Sequence, residues 1–202
     1  MEISSLHIPY LPWETIQQYA DEFRDLFGCG KFPVDVDLIA EKAGIDLQPI
    51  PSLKYLCSME ACISNNSKII FYDYSGNDLR LRFSIAHELG HFKLHRDEIQ
   101  LLRPNSFDDW SNILEEIPLP TINRFEVQAD EFAGRLLVPI SKLKESFIIV
   151  KNDLLEMKGF FGGNYFSTFG FISPALAKFF NVSDKVMKKR LEKESINPFE
   201  FI

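Results

Sequence analysis

The sequence has no excess of positive charge, no disulfide framework, no long apolar run and no internal repeat, and each absence removes a class of function. Lys and Arg number 22 against 29 Asp and Glu, a formal net charge of −7. Broad capture of nucleic acid or of an anionic membrane surface needs a cationic face, so both are disfavoured. Cys29, Cys57 and Cys62 make an odd count without framework spacing, which suits a reducing interior, and each reads as a small buried hydrophobe. No apolar stretch approaches the roughly 18 to 20 residues that span a bilayer. The opening "MEISSLHIPYLPWETIQQYADEF" has an early acidic residue, no basic segment and interrupting prolines, unlike a secretory signal. A cytoplasmic location is therefore expected. With neither repeats nor low-complexity linkers, one compact domain over 1–202 is the default.

What is present is the composition of a globular chain, 46% hydrophobic and 25% charged, long enough to bury an ordinary core. Apolar spacing predicts a helix over "PWETIQQYADEFRDLFG" closed near Gly28, and a shorter one over "PVDVDLIAEKAG" closed by Gly44. "IDLQPIP" reads as a short strand. "ACIS" and "KIIFYD", separated by the turn-forming "NNS", read as a hairpin. Asn77 can cap a following helix that carries Leu79, Phe83, Ala86, Gly90 and Leu94, and "NRFEVQADEFAGRLLVP" predicts another, ended by Pro139. Residues 146–172, rich in Gly and Phe, read as an irregular apolar excursion, and 173–194 as a helix-turn-helix-like pair with its second helix capped by Ser183. The fold class that follows is α+β, mainly helical, with a small antiparallel or mixed sheet.

Histidine is scarce as well, four in all, yet three of them fall in "FSIAHELGHFKLH", residues 83–95. His87-Glu88-Leu89-Gly90-His91 is an H-E-x-x-H sequence. On a helix, residues four apart share a face, so both imidazoles can turn to one point and hold Zn at about 2.0 to 2.1 Å. Glu88 is rotated roughly 100° further round, beside the metal and not on it. A general base belongs there, taking the proton of a zinc-acidified water. Gly90 costs on the order of 1 kcal/mol in a helix interior, which makes sense if another backbone must approach closely. His95 is too far round and along a straight helix to share the ion, and reads as a surface or capping residue near the helix end.

The third ligand is therefore sought on the next helix. Glu126 and Asp130 are four apart and share a face with small residues nearby, Ala129, Ala133 and Gly134, which would let that helix approach the one carrying Ala86 and Gly90. Glu126 can complete a two-His-one-Glu set and leave the fourth position for water, while Asp130 fixes an imidazole ring from behind. Glu131 competes, but lies about 140° from Glu126 and toward solvent.

These residues together resemble the ImmA/IrrE family of metallopeptidases. The resemblance is carried by "RLRFSIAHELGHFKLH" and "FEVQADEFAGRLLVP", and more loosely by "FPVDVDLIAEKAGI" and "LAKFFNVSDKVMKKRL". It implies a minimal gluzincin-like fold with an edge strand beside the active helix. His87, His91 and Glu126 become zinc ligands, with other divalent metals such as Mn2+ as substitutes, and Glu88 the catalytic base. Val138 stands where the family usually has Met. It further implies an endopeptidase that cleaves a regulatory protein, a separately encoded helix-turn-helix transcriptional repressor, and so derepresses genes.

Peptide hydrolysis needs a strand to hold the substrate, for which residues 61 to 73 are candidates by β-augmentation. Tyr72, Asn164 and Tyr165 are unranked candidates for stabilising the oxyanion. "GFFGGNYFSTFGF" reads either as a recognition loop or as packing. Two readings compete with proteolysis. One is a metal-binding anti-repressor that displaces its partner without cutting it. The other is a DNA-binding regulator acting through 173–194, whose second helix carries Lys185, Lys188, Lys189, Arg190 and Lys193.

Overall fold

The computed structural model describes residues 6–57, 59–64, 66–102, 107–160 and 164–202. Asn65 of the hairpin turn, residues 161–163 of the Gly/Phe-rich stretch and the side chain of Cys57 lie outside the described set. Two compact units divide the chain, residues 1–136 and 137–202.

In the first unit, α1 (Trp13–Phe27) buries Ile16, Ala20 and Phe23 on one face. The short α2 (Val36–Lys42) is capped by Asp35, whose carboxylate accepts the Leu38 N–H at 3.1 Å. Gly44 then turns the chain at φ 75°, a left-handed conformation that glycine takes without strain. β1 (Asp46–Pro49), β2 (Ala61–Ile63) and β3 (Ile69–Tyr72) form a sheet in the order β1-β3-β2. β1 runs parallel to β3, with Asp46 opposite Ile69, and β2 antiparallel, with Ala61 opposite Tyr72. The expected hairpin is thus present, and β2 is an edge strand. A five-residue helix, α3 (Leu53–Cys57), precedes it.

Asn77 caps α4 (Asp78–Leu94) by accepting the N–H groups of Leu79 and Arg80 at 2.9 and 3.4 Å. After a break at His95 come α5 (Arg96–Leu102) and α6 (Phe107–Glu116). Neither is among the helices predicted from sequence, although α6 is as amphipathic as α1. α7 (Leu119–Leu137) starts four residues before the expected Asn123. The rings of Phe92 on α4 and Phe132 on α7 pack on that of Phe23 on α1, with centroids 6.1 and 5.7 Å from it. Burial of these faces, worth about 1.5 to 3 kcal/mol per large side chain, holds α4 against α7.

The second unit is also helical. α8 (Ile140–Ser146) runs through a 3-10 turn over Phe147–Val150 into α9 (Lys151–Phe160), and a second 3-10 turn over Tyr165–Thr168 leads into α10 (Phe169–Phe180). The irregular excursion expected over 146–172 is therefore helical in its described parts. Glycines and aromatics lower helix propensity, but Phe147, Val150, Leu154, Phe169 and Ile172 are all buried, and tertiary packing outweighs propensity there. α10 ends at left-handed Asn181, and Ser183 caps α11 (Asp184–Glu194), the helix pair expected over 173–194. Arg190 leaves the anticipated basic face. It is buried and donates to Glu194 at 2.6 Å and to the Val138 carbonyl at 3.3 Å.

Cys62 is buried as expected, whereas Cys29 is exposed in a left-handed turn after α1. Among the described residues no helix is long and apolar enough to cross a membrane.

Candidate metal centre

α4 presents His87 and His91 one turn apart, and α7 presents Glu126 against them. The helices come this close because Gly90 meets Ala129 with no side chain between. A Cβ on Gly90 would lie 3.1 Å from the Ala129 carbonyl oxygen and 3.2 Å from its Cα. The small face foreseen on α7 is what admits α4.

The donor atoms converge. His87 Nε2 is 3.0 Å from His91 Nε2 and 3.2 Å from Glu126 Oε2, and His91 Nε2 is 3.7 Å from Glu126 Oε1. Tetrahedral zinc with bonds of about 2.0 to 2.1 Å sets its donors about 3.3 Å apart, a value these three distances bracket. Two imidazoles and a carboxylate suit a borderline divalent ion, and three ligands leave one position open. Among the described residues these three are the group whose ligand atoms could hold a metal.

Each imidazole is held from behind. Asp130 Oδ1 lies 3.1 Å from His87 Nδ1, the contact that the expected orienting role requires. A carboxylate only accepts, so His87 Nδ1 carries a proton. Burial opposes charge on His87, but the bonds to Asp130 and Glu126 and the nearby Glu88 outweigh it and push its pKa up to about 10. In the metal-free protein His87 is an imidazolium whose Nε2 proton sits among the three ligand atoms. Burial, reinforced by His87 and His95, holds the His91 pKa well below the ordinary value. The His91 ring stacks on Phe125 with centroids 4.1 Å apart.

Glu88 sits beside the ligands and outside their set. Its Oε2 accepts the Ile63 N–H of β2 at 2.8 Å. Burial, with repulsion from Glu126, raises its pKa to about 7 against the pull of His87 and that N–H. A carboxylate poised near neutrality suits proton transfer. In the β2–β3 ladder Ser64 and Asp73 donate across the hairpin, so by alternation the peptide groups of Ala61 and Ile63 point to the outer edge. That edge carries Glu88 on the Ile63 N–H and the Trp110 indole on the Ile63 carbonyl, the latter at 3.2 Å.

A scan against family models matches residues 40–192 to the IrrE N-terminal-like domain, peptidase family M78. The chain belongs to this M78 family. The match covers about three quarters of the sequence and includes α4 and α7 with all three ligand candidates. No curated protein matches the chain at a significant level.

Two sequence expectations need correction within this M78 domain. Glu131 does not face solvent; it is buried and pairs with Arg135 at 2.8 Å, which in turn donates to Gln17 of α1. It points away from the metal site, so Glu126 stands as the ligand candidate. His95 is the C-cap of α4, as its place at the helix end led one to expect, but it is not a surface residue. It is 1% exposed, and its Nδ1 lies 3.0 Å from His91 Nδ1. Angular position on α4 rules it out as a ligand but leaves it one turn from His91, behind the ring. The signal was available: a histidine four residues after a ligand histidine can reach the ligand's far nitrogen. Of the oxyanion candidates, Tyr72 ends β3, whereas Asn164 and Tyr165 belong to the second unit, where the Tyr165 hydroxyl donates to the Ser195 carbonyl at 3.0 Å.

Proposed function

We propose that this M78-family chain is a zinc-dependent endopeptidase that cleaves a specific regulatory protein, a separately encoded helix-turn-helix repressor. One observation carries the enzymatic part: three metal-type donors converge from α4 and α7 while Glu88, pKa near 7, stands between them and an edge strand. When bound, zinc supplies Lewis acidity toward the scissile carbonyl and the attacking water. Glu88 accepts the water's proton as oxygen bonds to carbon, and returns it to the nitrogen as the C–N bond breaks. An extended peptide would pair with the outer edge of β2 by displacing Glu88 and Trp110 from the Ile63 peptide groups, a mode that favours a protein over a small molecule as substrate.

The nature of the target rests on the resemblance of "RLRFSIAHELGHFKLH" and "FEVQADEFAGRLLVP" to ImmA/IrrE sequences. Direct DNA binding through α11 is weakened by the burial of Arg190. The test uses purified protein with its cognate repressor. Near-stoichiometric zinc and cleavage are expected, with Glu88→Gln keeping the metal and losing cleavage. Full cleavage by that variant refutes Glu88 as base. Repressor released from DNA at unchanged length assigns the protein to displacement instead.

A further inference from the structure

Behind His91 runs a chain of hydrogen bonds that the proposed reaction does not use. His91 Nδ1 meets His95 Nδ1 at 3.0 Å, His95 Nε2 meets Gln128 Oε1 at 2.9 Å, and Gln128 Nε2 donates to the Pro9 carbonyl at 2.8 Å. We propose that His95 and Gln128 are positioning residues, a directional relay anchored on Pro9 that locks His91 as the Nδ1–H tautomer and so turns the Nε2 lone pair to the metal.

The direction follows from one end. A backbone carbonyl only accepts, so the Gln128 amide must present NH2 to Pro9 and its oxygen to His95. That oxygen also only accepts, so His95 carries its proton on Nε2. Neither partner of His95 is a carboxylate, it is 1% exposed, and the Phe125 ring lies with its centroid 4.5 Å away, surroundings that keep the ring neutral. A neutral ring protonated on Nε2 offers a lone pair at Nδ1. The 3.0 Å contact with His91 is then a hydrogen bond only if His91 Nδ1 donates. The proton of His91 is thereby held away from the ligand face. Reversing any link would put a hydrogen on His91 Nε2 and block coordination.

The two ligand histidines are therefore oriented by different chemistry, His87 by the Asp130 carboxylate and His91 by a neutral chain that ends on the backbone ahead of α1. Gln128 occupies α7 two residues after Glu126, so the helix that brings the third ligand also sets the tautomer of the second.

This inference rests on the reading of His87, His91 and Glu126 as a metal site, but its first test needs no metal. Long-range 1H–15N correlation spectra of the metal-free protein report which ring nitrogen of each histidine is protonated. Nδ1–H is expected at His91 and Nε2–H at His95; a His91 protonated on Nε2, or an averaged pair of tautomers, overturns the relay. The second test is zinc affinity by competition with a chromophoric chelator. His95→Leu and Gln128→Met should each weaken zinc about 10- to 100-fold, the range for partners behind a ligand. His95→Asn, whose side-chain oxygen can replace the Nδ1 acceptor, should stay within about threefold of wild type. Equal weakening in the Asn and Leu variants, or none in either, overturns the proposal. If His95→Leu fails to fold, Gln128→Met and the wild-type spectra decide. Wild type that binds no zinc while showing the expected tautomers would defeat the metal reading and leave the hydrogen-bond chain standing.

Discussion

Replacing Gly90 by alanine perturbs the contact that brings the two halves of the candidate metal site together. The added Cβ would lie 3.1 Å from the Ala129 carbonyl oxygen, 3.2 Å from Ala129 Cα and 3.3 Å from Phe132 Cβ. Ordinary carbon contacts are about 3.5 to 4.0 Å, so α4 and α7 must part by about 0.3 to 0.5 Å. Two of the three obstacles are backbone atoms, and the third is fixed to the backbone of α7. No side-chain rotation relieves them. Overpacking of this kind costs about 1 to 3 kcal/mol, while alanine in a helix interior returns about 1 kcal/mol. The net expectation is a loss of about 1 kcal/mol in the metal-free protein, measured by urea denaturation. Glu126 sits one turn before Ala129 and moves with it, by more than the roughly 0.2 Å that a metal site tolerates. Zinc affinity should therefore fall about tenfold, read by chelator competition. Gly159→Ala in α9 is the control, because nothing lies within 4 Å of its Cβ position, and it should be neutral or slightly stabilising. A Gly90→Ala protein that gains about 1 kcal/mol and binds zinc as wild type would show that the close approach does not govern the site.

Further outcomes follow from the protons and contacts at the site. Because His87 holds its proton up to about pH 10, zinc must displace it; calorimetry in buffers of different ionisation enthalpy should detect about one proton released per zinc at pH 8, and apparent affinity should climb about tenfold per pH unit from 7 to 9, where a flat profile would contradict the assignment. Glu88 titrates near 7 when folded against an ordinary value of 4.5, so the metal-free native state binds the extra proton between those pH values and loses that stability as pH rises through 7. Glu88→Gln abolishes this dependence. Its stability relative to wild type should improve by up to about 3 kcal/mol between pH 4.5 and pH 8, and a pH-independent difference in paired denaturation curves would refute the burial argument. Trp110→Phe removes the donor from the Ile63 carbonyl on the β2 edge; with a hydrogen bond worth about 1 kcal/mol net, substrate peptide should bind about fivefold tighter to the Glu88→Gln background, and weaker binding would mean that the indole helps to hold the peptide.

Much of this molecule was written in local patterns. Four-residue spacing sufficed to put His87 and His91 on one face and Glu88 beside it, since helix geometry follows from the backbone alone. The cap at Asn77, the hairpin of Ala61–Ile63 with Ile69–Tyr72 and the pairing of Glu126 with Asp130 were legible for the same reason. Gly90 and Ala129 even announced a close helix crossing. Stretches dominated by glycine and aromatics were not legible, because in 147–160 and 165–172 long-range burial overrode weak helix propensity. Nor could local spacing tell that Glu131 and Arg190 would be buried as ion pairs, or that His95 would face inward. A helix position gives the direction of a side chain, but not what stands opposite it. The sequence by itself determined which residues could bind a metal and which could move a proton. Only the tertiary structure decided that α7 lies against α4 at backbone contact, that the carboxylate of Glu88 reaches the edge of β2, and that Gln128 and Pro9 stand behind His95. Those arrangements depend on partners far apart in the chain, whose meeting is set by packing.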